Sequence, residues 1–313
     1  MQSETHTGVR PHALGSHSKV GVVSPASSAH AEELIAGCSV LRQLTGWQVE
    51  SCCTEPDGDF AGSSESRAAA LTKLWKREDL GAILCARGGY GSNYLLPLLD
   101  LAAFKSTPKA FVGYSDNTSL LLALDRLGLV CFHGPMVASD FSSGRADAVS
   151  FRAALSGQPL DFSFSATSGV QSIIDGEADA PIIGGCLSVV VTSLGTPWEI
   201  QTEGRILFLE DVNEKPFRID RMLMHLLLAG KFRGVRGIIF GAMCGCQPLT
   251  ADEETLQQLI HRILSGLGVP IVFGVPSGHV HSGNLTLPFG VPAHLSSSAS
   301  EVRLQVEPST TTD

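Results

Sequence analysis

Five short apolar runs, the first four each followed by a stretch of helical spacing, constrain this chain more than any other feature. "KVGVVSP" (19–25) leads into an apolar-periodic segment that runs from Ala29 to Thr45. "WQVESC" precedes "SRAAALTKLW", "GAILCA" (81–86) precedes a glycine-rich turn and "NYLLPLLD", and "AFVGYS" precedes "SLLLALDRLG". "LVCFHGP" closes the series. A strand that is apolar along its whole length is buried on both faces, and strands separated by helices must run parallel. The spacing therefore predicts a doubly wound α/β domain over residues 19–138.

The pattern then changes. Residues 139–170 are rich in Ser, Gly and Asp and read as a linker with one helix. From 171 to 307 strand candidates ("SIIDGE", "ADAPII", "RILFLE", "RGIIFG", "PIVFG", "NLTLPFG", "EVRLQVE") outnumber helical ones ("CLSVVVTSLG", "FRIDRMLMHLLLAG", "EETLQQLIHRILSGL"), which suits a second, mixed α+β domain. Residues 1–18 and 308–313 read as flexible tails.

With 43% apolar and 17% charged residues over 313 positions, a large core is available and disorder is excluded for most of the length. The net charge of −9 comes with scattered Lys and Arg, so no nucleic-acid footprint is expected. The first 18 residues lack an apolar signal core, and no window of 18 apolar residues exists, so neither secretion nor a membrane span is expected. Eight cysteines without a C-x-x-C pair point to reduced thiols and a cytoplasmic location.

Several residues sit where chemistry could be carried. Ser115 in "AFVGYSDNTSL" lies where a strand turns into a helix, a place for either a nucleophile on a sharp turn or an ordinary helix N-cap. The turn in "CARGGYGSNYLL" has neither the dinucleotide nor the P-loop pattern, but its glycines let backbone N–H groups approach an anion. Glu210 and Asp211 follow the apolar run "ILFL" at a strand's end, and Pro216 suits the first turn of the next helix. His133 in "CFHGPM", and His279 and His281 in "PSGHVHSGN", lie near turns, whereas His261 falls on the outer face of a helix. His279-x-His281 lacks carboxylate or thiolate ligands close by in sequence, so no metal or other cofactor is expected.

Taken in order, "VGVVSPAS", "ILCARGGYG", "FVGYSDNTSL", "FHGPM", "IIGGCLSVVVTSLGTPWE", "ILFLEDVNEKPFRIDRML" and "GHVHSGNLTLPFG" resemble the LD-carboxypeptidase family of serine peptidases. That family includes murein tetrapeptide carboxypeptidases and microcin C self-immunity hydrolases. The resemblance implies a Ser-His-Glu triad, with Ser115 as nucleophile, Glu210 as the orienting acid in preference to Asp211 or Glu214, and His279 as general base. Gly88 and Gly89, with the Asp116 amide, would then form the oxyanion hole. Ser115 lies in the first half and Glu210 and His279 in the second, so the active site is expected at the domain junction.

The implied substrate is a small peptide, a murein tetrapeptide that loses its terminal D-alanine in cell-wall recycling. The implied assembly is a homodimer. The alternatives are an immunity-type hydrolase of peptidyl or aminoacyl nucleotides, for which Trp198 is the candidate stacking residue, and a catalytically silent binding protein. Cys186 stands where the family often has Asn, and His281 and Ser282 depart from the loop expected after the catalytic His.

Overall fold

The computed structural model describes residues 8–53, 57–248, 250 and 252–311. The first half runs β1 (Lys19–Val23), α1 (Ala31–Thr45), β2 (Gln48–Ser51), α2 (Ser64–Trp75), β3 (Leu80–Cys85), α3 (Leu101–Ser106), β4 (Ala110–Gly113), α4 (Thr118–Arg126) and β5 (Cys131–His133). Then come α5 (Ala148–Leu155), β6 (Leu160–Ser165), β7 (Gln171–Ile174), β8 (Gly176–Cys186), α6 (Leu187–Thr192), β9 (Ile206–Val212), α7 (Pro216–Leu228) and β10 (Gly237–Cys244). The chain closes with α8 (Leu256–Leu264), β11 (Ile271–Phe273), β12 (Leu287–Phe289), β13 (Pro292–Ser297) and β14 (Glu301–Val306).

Among the described residues the strands form two sheets. The first has the order β12-β5-β4-β3-β1-β2, and its strands β1 to β5 are parallel. Every residue of β4 is buried and five of the six in β3 are, as expected for strands covered on both faces. The second has the order β6-β14-β13-β8-β9-β10-β11-β7. Its centre, β8 to β11, is parallel, and its flanks are antiparallel. The N-terminal α/β and C-terminal mixed arrangement expected from the sequence is thus present.

The halves interleave more than the sequence suggested. β12 lies far along the chain yet pairs antiparallel with β5 of the first sheet, Leu287 opposite His133. The segment expected to be a linker, 139–170, carries α5, whose Phe151 and Leu155 are fully buried, and β6, which pairs with β14 at the edge of the second sheet. The expected tails also differ. Leu14 is buried, Val9 bridges to Leu129, and Ala13 N donates to Thr311 O at 2.8 Å, so residues 8–18 lie along the body. At the other end Ser309 is buried, and its hydroxyl donates to Ala154 O at 2.8 Å. Residues 1–7 and 312–313 of those tails lie outside the described residues. No helix among the described residues is long and apolar enough to cross a membrane.

Candidate active site

The turn after β4 decides what Ser115 does. Tyr114 is extended, and Ser115 then takes φ 62, in the left-handed region, one of two non-glycine residues with positive φ among those described. An L-residue is disfavoured there by contact of Cβ with the backbone, and such strain collects at functional sites. A single tight turn, Ser115–Asn117, leads into α4. The N-cap of α4 is Asn117, and the Ser115 hydroxyl caps nothing; it lies 3.1 Å from His279 Nε2.

The neighbouring glycine turn is pinned to this one. Ser92 N donates to Asp116 Oδ2 at 2.7 Å, and the Ser92 hydroxyl donates to Asp116 O at 2.6 Å. Asn117 Nδ2 donates to Arg87 O at 3.2 Å. Gly88 comes so close to the serine that a Cβ on it would lie 2.8 Å from Ser115 Cβ and 2.9 Å from Oγ, with Asp116 N at 3.6 Å. The Gly88 carbonyl is engaged by Ser27 N at 3.3 Å, and in a planar trans peptide this turns the Gly89 N–H to the opposite side.

Glu210 and His279 reach the serine from the second sheet. Glu210 is the fifth residue of β9 and fully buried. His279 sits in the loop between β11 and β12, after Gly278, whose φ of 103 suits glycine. A Cβ on Gly278 would lie 2.4 Å from Glu210 Oε2, so the loop can lie on the carboxylate only because that residue is glycine. Glu210 Oε2 accepts from His279 N at 3.1 Å and from Nδ1–H at 2.7 Å. A carboxylate cannot donate, so the imidazole proton is on Nδ1, and Nε2 presents its lone pair to the Ser115 hydroxyl.

The two groups also shift each other's titration. Burial alone would raise the Glu210 pKa, but the His279 charge and hydrogen bond, with the His133 ring close by, prevail and hold it down at about 2. For His279 burial works against the charged form, yet the Glu210 carboxylate and its hydrogen bond prevail and raise the pKa above the usual imidazole value.

The other candidate acids are occupied. Asp211 Oδ2 accepts from Ser188 N at 2.9 Å and Oδ1 from Val212 N at 2.8 Å, so it caps α6. Glu214 pairs with Arg218 at 3.3 Å on the next turn of chain. His261 and His281 are exposed. Among the described residues no cluster of three His, Cys, Asp or Glu side chains is arranged to hold a metal. Cys186 packs: its amide donates to Thr118 Oγ1 at 3.0 Å, and its thiol lies 3.3 Å from Ser188 Oγ. Trp198 is half-buried against the core and does not line the cavity over Ser115.

That cavity, about 410 Å³, is lined by Gly88, Gly89, Ser115 and His279, and also by Arg87 and Arg145. Sequence reading had no way to single out Arg145, which lies in the supposed linker. Arg145 Nη2 donates to Ser139 O at 2.8 Å, and its Nε lies 3.3 Å from the buried Asp140, which together fix the guanidinium at the cavity wall. The arrangement brings together a serine hydroxyl, an imidazole, a buried carboxylate behind the imidazole, a glycine turn beside the serine and two cations.

Residues 20–134 match the LD-carboxypeptidase N-terminal domain, and residues 179–295 match the LD-carboxypeptidase C-terminal domain. A provisionally named carboxypeptidase of Streptomyces coelicolor is 40% identical over 298 residues, covering 92% of this chain and 93% of its own. Muramoyltetrapeptide carboxypeptidase from Oxalobacter formigenes superposes with a TM-score of 0.85 at 28% identity, over 94% of this chain and 100% of the other. An MccF-like protein from Bacillus anthracis superposes with a TM-score of 0.84 at 27% identity, over 95% and 99%.

Proposed function

From the premise that this chain belongs to the LD-carboxypeptidase family and is a serine-type carboxypeptidase, we propose that it releases terminal D-alanine from murein tetrapeptides in cell-wall recycling, with Ser115 as nucleophile, His279 as general base and Glu210 as orienting acid. The observation that carries the reading is the left-handed Ser115, its hydroxyl 3.1 Å from the Nε2 of an imidazole whose Nδ1–H is held by a buried carboxylate.

The mechanism follows from the geometry. A serine hydroxyl is a weak nucleophile at neutral pH, so His279 Nε2 removes its proton as Oγ attacks the scissile carbonyl. Glu210 keeps the ring in the Nδ1–H tautomer and stabilises the imidazolium that forms. The oxyanion develops beside the N–H groups of the Gly88–Gly89 turn and Asp116, donors that do not have to reorganise as charge appears. The imidazolium then protonates the departing D-alanine amine, and water, deprotonated by the same nitrogen, releases the acyl group. Arg87 and Arg145 supply the positive charge that a free terminal carboxylate requires.

The test is hydrolysis of a tetrapeptide ending in meso-diaminopimelate–D-alanine, beside the same peptide ending in L-alanine and an aminoacyl-adenylate mimic. Release of D-alanine alone is the expected result. Faster cleavage of the adenylate would move the assignment to the immunity-type branch, and no turnover of any of the three would leave the silent binding protein.

A further inference from the structure

The mechanism above makes no use of His133, although this residue ends β5 directly behind the candidate acid. Its ring is completely buried, 4.8 Å edge-on from the Phe208 ring, 5.7 Å from Tyr114 and 5.8 Å from Phe289. His133 Nδ1 lies 3.1 Å from Ser277 Oγ, which is also 2.9 Å from the carbonyl oxygen of Leu285. That carbonyl can only accept, so the one hydroxyl proton of Ser277 is committed to it. Ser277 Oγ therefore meets His133 as an acceptor, and Nδ1 must carry a hydrogen.

The other ring nitrogen faces Glu210. Nε2 lies 3.8 Å from Glu210 Oε1, at ion-pair distance, and both atoms are buried without a hydrogen-bond partner among the described residues. A neutral ring with its hydrogen on Nδ1 would point a lone pair at a carboxylate oxygen, leaving two desolvated acceptors face to face. Buried polar atoms left this way are strongly unfavourable, and one added proton satisfies both.

We propose that His133 carries hydrogens on both ring nitrogens and is a positioning residue, its Nε2–H directed at Glu210 Oε1 so that the carboxylate is held between two imidazoles. The proton is taken from solvent as the site folds, and the resting pair of imidazolium and carboxylate sums to zero charge. The other ionisable groups packed nearby compensate one another: the Tyr114 hydroxyl donates to Asp140 Oδ1 at 3.3 Å, and Asp140 is paired with Arg145 at 3.3 Å. Asp211 is held by Ser188 N and Val212 N.

Two consequences follow. Glu210 is fixed at both oxygens, so it cannot swing away from His279. The charge on His133 also opposes that on His279, so the base stays easier to deprotonate than a lone buried carboxylate would leave it.

The kinetic arm of the test rests on the Ser-His-Glu reading; the spectroscopic arm does not. In the unaltered protein, ¹⁵N NMR of the ring at neutral pH is expected to find both His133 nitrogens protonated. His133→Gln puts an uncharged N–H donor near the place of Nε2, whereas His133→Asn puts one near Nδ1 and abandons Glu210 Oε1. The Gln variant is expected to stay within roughly tenfold of wild-type kcat, and the Asn variant to lose roughly 10- to 100-fold with little change in KM. With the opposing charge gone, the acid limb of kcat/KM in the Gln variant should move to higher pH. Mere loosening of Glu210 would move it to lower pH.

A bare Nε2, or Gln and Asn variants equally impaired with the limb unmoved, would overturn the proposal. Should neither variant fold, the NMR result on the unaltered protein decides. Should no murein peptide be cleaved, the proposed function fails while the NMR still judges His133, and the rate of Ser115 acylation by a fluorophosphonate serves for the kinetic arm.

Discussion

Replacing Ser115 by glycine and, separately, by alanine isolates the strain held at the candidate nucleophile. Both variants lose the hydroxyl and its contact with His279, so that loss cancels in the comparison. What differs is the Cβ in a backbone held at φ 62. For an L-residue the left-handed region costs about 1–2 kcal/mol, which glycine does not pay. Against this, glycine loses more chain entropy on folding, about 0.5–1 kcal/mol relative to alanine. Glycine also forgoes part of a half-buried methyl, about 0.4 kcal/mol at half the usual value for a buried carbon. The sum runs from about 0.4 kcal/mol against glycine to about 1.1 kcal/mol in its favour.

The control is Ala69→Gly, at an exposed position inside α2 with ordinary helical backbone, where the same change should cost about 1 kcal/mol. Equilibrium urea unfolding followed through tryptophan emission, with the buried Trp75 as the main reporter, gives the differences. If glycine is as harmful relative to alanine at 115 as at 69, the strain assigned to this turn does not exist. Hydrolysis should fall by several orders of magnitude in both Ser115 variants; activity within about tenfold of wild type would refute the nucleophile assignment.

Glu210→Gln is expected to cripple turnover, whereas Asp211→Asn is expected to lower unfolding stability and spare kcat; the reverse ranking would mean the acid is misplaced. Because the His279 pKa is raised above the ordinary 6.5, the base is protonated over a wider range, and the acid limb of kcat/KM should lie above pH 6.5; a limb below it would contradict the Glu210 contact. By linkage the same pair stabilises the fold fully below the unfolded histidine value and loses that contribution as pH rises through the raised one. The depressed Glu210 pKa contributes stability above the unfolded value of 4.5, lost as pH falls through about 2, which acid titration of the fold would register. Gly278→Ala pushes a methyl into Glu210 Oε2, so kcat should drop by roughly 10-fold or more through a displaced His279, and unaltered kinetics would show that the loop yields. Arg145→Ala should raise KM for a substrate with a free terminal carboxylate and leave an amidated analogue unchanged; equal effects on both would remove Arg145 from recognition.

How far the sequence reached depended on where each signal came from. β3 and β4 were legible because burial on both faces leaves an unbroken apolar run. β6 and β13 were not, because each alternates less with more accessible residues rather than running apolar throughout, and half or more of each is Ser, Asp, Ala or His, which locally resemble loop. The sheet that β12 joins could not be read at all, since three apolar residues do not say which edge awaits them. In the site, Ser115 was suggested by its own neighbours, but its choice of Glu210 and His279 rested on resemblance, because partners 95 and 164 residues away leave no local trace. Arg145 and the His133–Glu210 pair exist only through tertiary packing.

The strand order of the first sheet carries a lesson for fragment complementation. A piece of this protein ending near residue 170 would hold β1 to β5 but leave one edge of β5 bare, an open invitation to pair with another chain. The missing strand, Leu287–Phe289, arrives only eight residues after His279 on the same loop. A split protein therefore has no route to repairing that edge without also delivering the imidazole to Ser115, so solubility of the first fragment and recovery of hydrolysis should rise together as the second fragment is titrated in.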